Sequence, residues 1–111
     1  MTGHPDHIAI GDWTTQAAAM VRGDRCRVLA ATKTPDWLET FAHVNGGILA
    51  PDPPCTPLED LALCVHLEGE ELDTKIRALR AQASQTSGLI SALGEPTYRA
   101  WVATEFWVRL T

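Results

Sequence analysis

Two histidines and an aspartate stand close together near the start of this chain, in the segment Gly3-His4-Pro5-Asp6-His7. Proline suits the first helical position, so Pro5 predicts a helix with His4 at its cap and His7 one turn further on. Imidazole nitrogen is a good ligand for Zn²⁺, and a nearby carboxylate can fix the tautomer and orientation of a ring. The spacing therefore favours a metal site or a metal-assisted acid–base pair, with a flexible terminal tail as the open alternative.

Helices that alternate with short apolar strands must position this segment. A first helix from Pro5 to about Val21 carries apolar residues at helical spacing and is expected to end at Gly23. Its apolar stripe consists of Ile10, Trp13, Ala17 and Met20. The predicted strands are 26–31, 61–67 and 106–110. A further helix starts at Pro35 with Thr34 as its cap, a long helix runs from about Glu70 to Leu93, and a short helix starts at Pro96. The long helix has a stripe of Leu72, Ile76, Leu79, Ala83, Thr86 and Ile90. This alternation predicts an α/β layered fold.

A proline-rich segment from 46 to 57 interrupts the pattern. It contains four prolines, which exclude a helix or a central strand. We interpret it as a surface connection within one unit, and residues 1–111 as a single partial domain. Three strands are few for a parallel sheet, which must be covered on both faces. An incomplete parallel sheet is therefore expected.

Composition narrows the function classes. The chain has 111 residues and a net charge of −5, so no basic surface is available to neutralise nucleic-acid phosphates. No window is long and apolar enough for a membrane span, and the N-terminus has no secretory signal pattern. Three cysteines without a CxxC pair are typical of reduced thiols, which predicts a cytoplasmic protein.

Three segments resemble the LmbE/PIG-L family of zinc-dependent deacetylases. MTGHPDHIAIGDWTTQAAAMV looks like the family's second signature, in which a glycine-containing loop runs into HPDH and an amphipathic helix. RVLAATKTPDW resembles the strand and helix that follow, and LEDLALCVHLEGEELDTKIRALRAQASQTSGL resembles a late strand and a long helix. The resemblance covers nearly the whole chain in the family's order. It implies the C-terminal half of a Rossmann-like three-layer α/β/α sandwich.

The resemblance also implies an activity and residue roles. The family hydrolyses N-acetyl groups, typically on N-acetylglucosamine-containing sugars or glycoconjugates, with a bound Zn²⁺. By resemblance, His7 would be a zinc ligand, His4 would stabilise the oxyanion and protonate the leaving amine, and Asp6 would orient His4. Zinc would polarise the acetyl carbonyl and activate a water molecule. No organic cofactor is implied.

One part of the family pattern is missing from this sequence. The first signature, an HPDD-type segment that supplies two metal ligands and the general base, is absent. A catalytic zinc normally has three protein ligands and a water molecule, and only His7 matches one of them. We therefore expect Met1 to be an internal methionine of a longer frame, and the chain alone to be inactive. The alternative is a non-catalytic truncated remnant or interaction module of that fold. The expected protein partner is a second copy of the chain or the missing N-terminal half.

Other reactive side chains have simpler interpretations. His43 falls late in a helix, His66 falls inside an apolar strand, and either could complete a metal site only as the minor alternative. Cys64 is expected to be a small core residue rather than a nucleophile. The four tryptophans, Trp13, Trp37, Trp101 and Trp107, are expected to be core anchors.

Overall fold

A computed structural model describes residues 4–21 and 26–110 of the chain, and within them the fold is mixed α/β. The helices are α1 (Pro5–Met20), α2 (Pro35–Thr40), α3 (Ala42–Asn45), α4 (Gly69–Ala81), α5 (Ala83–Leu93) and α6 (Glu95–Val102). The strands are β1 (Leu29–Thr32), β2 (Leu63–His66) and β3 (Thr104–Arg109), and a 3-10 turn covers Leu58–Asp60. The predicted α/β class is confirmed at this level. Gly3 and the expected helix end at Gly23 lie outside the described residues.

The three strands form one sheet in the order β1-β3-β2. The antiparallel register of β1 and β3 runs from Leu29 opposite Arg109 to Thr32 opposite Phe106. On the other side of β3, Ala62 N–H donates to Trp107 O and Leu67 N–H donates to Ala103 O, both at 2.8 Å. Because chain numbers rise on one side as they fall on the other, this pairing is antiparallel as well.

The expected incomplete parallel sheet is therefore wrong for these three strands. A short apolar run predicts a strand but carries no information about its direction. Along β3, Phe106 is buried and the residues on both sides of it are half-buried, so the burial pattern does not alternate.

Capping signals placed several helices correctly. Thr34 precedes α2, and its hydroxyl accepts a hydrogen bond from Trp37 N–H at 3.2 Å. Gly94 precedes α6 with φ at 78°, a left-handed backbone that favours glycine. The single helix predicted after Pro35 instead ends at Thr40 and resumes at Ala42.

The long helix predicted from about 70 to 93 is divided into α4 and α5. Gln82 adopts φ −93° and ψ 49°, outside the helical region. The hydroxyl of Thr86 lies 2.7 Å from Leu79 O and 3.1 Å from Gln82 O, which provides these carbonyls with a side-chain partner at the break. Of the predicted stripe, Leu72, Ile76 and Thr86 are buried, whereas Ala83 is exposed.

The chain divides into two compact units, one of Met1–Cys64 with Phe106–Thr111 and one of Val65–Glu105. The first unit buries four large apolar side chains: Val28, Trp37, Val44 and Phe106. The second has a core cluster of Leu72, Ile76, Tyr98 and Ala103. In contrast, α1 has no buried residue, and Trp13 is 67% exposed. The predicted core role of Trp13 is therefore wrong, as is that of Cys64, which is exposed.

Candidate functional site

His4 is the N-cap residue of α1, as the position of Pro5 predicts. Its backbone is extended (φ −64°, ψ 134°), and its side chain accepts a hydrogen bond from Asp6 N–H at Nδ1, at 3.2 Å. Ser, Thr, Asp and Asn are the usual N-cap residues, and here an imidazole nitrogen performs the same function. The cap holds the His4 ring against the first turn of the helix.

This hydrogen bond determines where the proton of neutral His4 lies. A ring nitrogen that accepts a hydrogen bond carries no proton, so the proton of the neutral ring is on Nε2. Nε2–H is then a hydrogen-bond donor, as the stabilisation of an oxyanion requires. A Zn²⁺ ion could not bind Nε2 of His4 in this tautomer, because that nitrogen has no free lone pair.

The Asp6 carboxylate lies close to the same ring nitrogen of His4. Its Oδ2 is 3.6 Å from His4 Nδ1. When His4 is protonated, Nδ1 becomes a donor, can no longer accept from Asp6 N–H and faces the Asp6 carboxylate instead. The pair can therefore exchange a neutral cap for an ion pair when His4 takes up a proton.

His7 follows one helical turn later. Its backbone N–H donates to His4 O at 3.0 Å, and the two imidazole centres are 5.8 Å apart with an angle of 54° between the planes. The two rings thus lie close together at the start of α1.

The segment is open to solvent. The side chains of His4 and Asp6 are 58% and 79% exposed, and His7 is exposed as well. The positive end of the α1 dipole favours an anion at this position, and Asp6 in the first turn offsets part of that charge. The helix start therefore assists a developing oxyanion more than it assists a cation.

Further metal ligands are not found near these residues. Within residues 4–21 and 26–110, no group of three or more His, Cys, Asp or Glu side chains is arranged to hold a metal ion. A groove of about 490 Å³ beside α1 is lined by its second half and by Cys26–Leu29, so the histidine segment does not contribute to it.

The other histidines lie elsewhere. His43 is in the last turn of α3, where a histidine charge suits the helix dipole. His66 ends β2, and its Nδ1 lies 2.7 Å from Thr104 Oγ1, a residue 38 positions away in the chain. His66 therefore has a hydrogen-bond partner, and its side chain is 58% exposed.

Comparisons of the chain with protein-family models, with curated proteins and with solved structures give no match. None of the helices in the described ranges has the length and apolarity needed to cross a membrane.

Proposed function

We propose that this chain carries the second half of the active site of a zinc-dependent N-deacetylase similar to the LmbE/PIG-L family. The substrate class would be an N-acetylglucosamine-type sugar or glycoconjugate. His7 would bind the metal, His4 would stabilise the oxyanion and protonate the departing amine, and Asp6 would orient His4. The remaining metal ligands and the general base would come from an HPDD-type segment outside this sequence.

The observation that carries the proposal is the hydrogen bond from Asp6 N–H to Nδ1 of His4. It leaves the Nε2 proton of His4 as the donor, and a donor rather than a ligand is what the resemblance assigns to this residue. His7 lies one turn away, with its ring close to that of His4. A bound Zn²⁺ ion would polarise the acetyl carbonyl and activate a water molecule.

The antiparallel sheet of the described residues constrains the fold that goes with this proposal. Doubly wound folds often combine parallel strands with antiparallel ones in a single mixed sheet. The proposal therefore places β1, β3 and β2 within a larger mixed α/β/α sandwich. Its three exposed, free cysteines suit a reducing compartment, so we propose a cytoplasmic location.

One observation favours a second candidate, a non-catalytic interaction module. Helix α1 has no buried residue, and its apolar stripe includes Ile10 at 56%, Trp13 at 67% and Met20 at 83% exposure. Apolar surface of this kind commonly marks a binding surface. Both candidates require something to cover α1, but only the deacetylase requires the histidines.

Zinc titration of the chain tests the first candidate. We expect weak binding of one Zn²⁺ ion, measured by calorimetry, and loss of that binding in His7→Asn. His43→Asn is the matched control, because it removes an exposed histidine from a different helix. Zinc binding that survives in His7→Asn but is lost in His43→Asn would overturn the metal role of His7.

Activity is tested separately. The chain alone should release no amine from N-acetylglucosamine, because the general base is supplied from elsewhere in the proposal. The coding DNA upstream of Met1 should contain an HPDD-type segment in frame, and the protein expressed from that frame should deacetylate the sugar. Robust amine release by the 111-residue chain with one equivalent of zinc would contradict the half-site proposal, since it would need ligands that the proposal does not contain.

A further inference from the structure

A hydroxyl, an imidazole and a carboxylate lie next to one another in space at one end of β2 and β3, with the imidazole in the middle. Thr104 Oγ1 is 2.7 Å from His66 Nδ1, and His66 Nε2 is 3.5 Å from Glu68 Oε1. Thr104 begins β3, His66 ends β2, and Glu68 is the N-cap residue of α4. All three belong to the unit of residues 65–105 and are separate from the His4–His7 segment.

The positions of the two oxygens determine the tautomer of His66. A carboxylate near Nε2 favours the proton on that nitrogen, which leaves Nδ1 with its lone pair. The Thr104 hydroxyl then donates its proton to Nδ1. This is the arrangement of an activated nucleophile, in which a base accepts the hydroxyl proton and a third group orients the base.

The arrangement is accessible from solvent. The side chains of His66 and Glu68 are 58% and 82% exposed, and Thr104 is half-buried. Glu68 makes no side-chain cap hydrogen bond, and Gly69 follows it with φ at 52°, so the first backbone N–H groups of α4 start within three residues of His66. Such N–H groups have no hydrogen-bond partner within the helix and can donate hydrogen bonds to an oxyanion.

From this geometry we infer that Thr104, His66 and Glu68 form a second, metal-independent site that transfers acyl groups from small activated esters. The Thr104 oxygen attacks the ester carbonyl and forms a C–O bond, while its proton moves to His66 Nδ1. The ester C–O bond then breaks, and His66 returns the proton to the leaving alcohol or phenol. Water attacks the acyl-threonine next, with His66 as base, and releases the carboxylic acid and the free hydroxyl.

The test uses p-nitrophenyl acetate as the probe, with the full chain and no added metal. Release of nitrophenol above the buffer rate is measured, and the acetylated residue is located by mass spectrometry after an acid quench. General-base activation typically contributes about 10²-fold or more, so Thr104→Val and His66→Asn should each lower the enhanced rate by roughly that factor. Thr104→Ser keeps the hydroxyl and should retain activity.

Matched controls separate this site from others. Thr74→Val removes an exposed hydroxyl that bonds only within α4, and should leave the rate unchanged. His43→Asn removes an exposed histidine of α3 that belongs to neither proposed site, and it should also leave the rate unchanged. Because the ester assay contains no zinc, failure of this site is distinct from failure of the proposed zinc deacetylase. Urea unfolding of each variant shows whether a lower rate results from a loss of folded structure. Thr104→Ser keeps the hydroxyl, so it must stay active.

Three results would overturn the inference. The first is a rate no higher than that of buffer. The second is a rate that falls in His66→Asn but not in Thr104→Val, which would mean that an imidazole acts alone. The third is acetylation at a residue other than Thr104. An acetyl group on Thr104 whose appearance depends on His66 supports it.

Discussion

Replacement of Lys75 by methionine should destabilise the unit of residues 65–105 by much more than the loss of a surface ion pair. The Lys75 ammonium donates to Val102 O at 2.6 Å and lies 2.7 Å from Glu105 Oε1. It thereby joins α4 to the last residue of α6 and to the start of β3. Methionine keeps the length and the helix propensity of the side chain, so the change isolates the loss of the ammonium group.

The size of the effect follows from the two partners. A hydrogen bond from a charged group contributes about 1.5–3 kcal/mol, and the Val102 carbonyl loses such a bond. The side chains of Lys75 and Glu105 are 22% and 35% exposed, so solvent screens their ion pair and we assign it only about 0–1 kcal/mol. The expected loss in unfolding free energy is therefore about 1.5–4 kcal/mol.

Urea unfolding followed by circular dichroism measures this loss. With a denaturant dependence of about 2 kcal/mol per molar, the midpoint should fall by roughly 1–2 M. Arg80→Met is the matched control, because Arg80 makes an ion pair of the same 2.7 Å length with Glu95, but both side chains are 50% exposed. That control should cost only about 0–1 kcal/mol. Equal losses in the two variants would refute the reasoning, since the hydrogen bond to the Val102 carbonyl is what distinguishes them.

Further predictions concern titration, the helix cap and the exposed helix. Burial raises the pKa of Tyr98 above 10.0. The neutral phenol therefore contributes its full stabilisation below about pH 10, and this contribution is lost as the pH rises through the higher pKa of the folded state. The unfolding free energy should therefore fall by up to about 1.4 kcal/mol per pH unit above pH 10, and this extra dependence should vanish in Tyr98→Phe. His4→Ala removes the acceptor for Asp6 N–H and should weaken the first turn of α1 by about 1 kcal/mol, seen as faster amide hydrogen exchange, whereas His4→Asn should preserve it. Trp13→Ala should change global stability by less than about 0.5 kcal/mol, because the side chain is 67% exposed, and Trp37→Ala, at 5% exposure, should cost about 3–5 kcal/mol in the same urea experiment.

Local chemistry explains what the sequence could predict. Proline at a first helical position and a hydroxyl just before it act within a few residues, so Pro5 and the Thr34-Pro35 pair located α1 and α2 correctly. Helical periodicity likewise identified Leu72 and Ile76 as core residues of α4. Each of these signals depends only on residues within the segment that it describes.

Features that depend on distant segments were not predictable in the same way. The direction of β3 is set by its partners β1 and β2, and an apolar run of residues has the same appearance in either direction. The contact of His66 with Thr104 spans 38 positions and exists only because β2 pairs with β3. For the same reason, the sequence showed His66 as an isolated histidine and gave no indication of Thr104 or Glu68.

Helix α1 carries both the tryptophan whose predicted core role is wrong and the histidines of the proposed site. Periodicity predicted which residues share one side of α1, but it cannot say whether another segment covers that side. An isolated helix of this length is marginal in water, and burial of an apolar side chain the size of Met20 contributes about 1.5–3 kcal/mol. Any polypeptide that covers the Trp13 side would therefore stabilise the helix whose first turn positions His4 and His7. If His7 binds zinc as proposed, covering the apolar side of α1 should therefore raise the affinity of the chain for zinc.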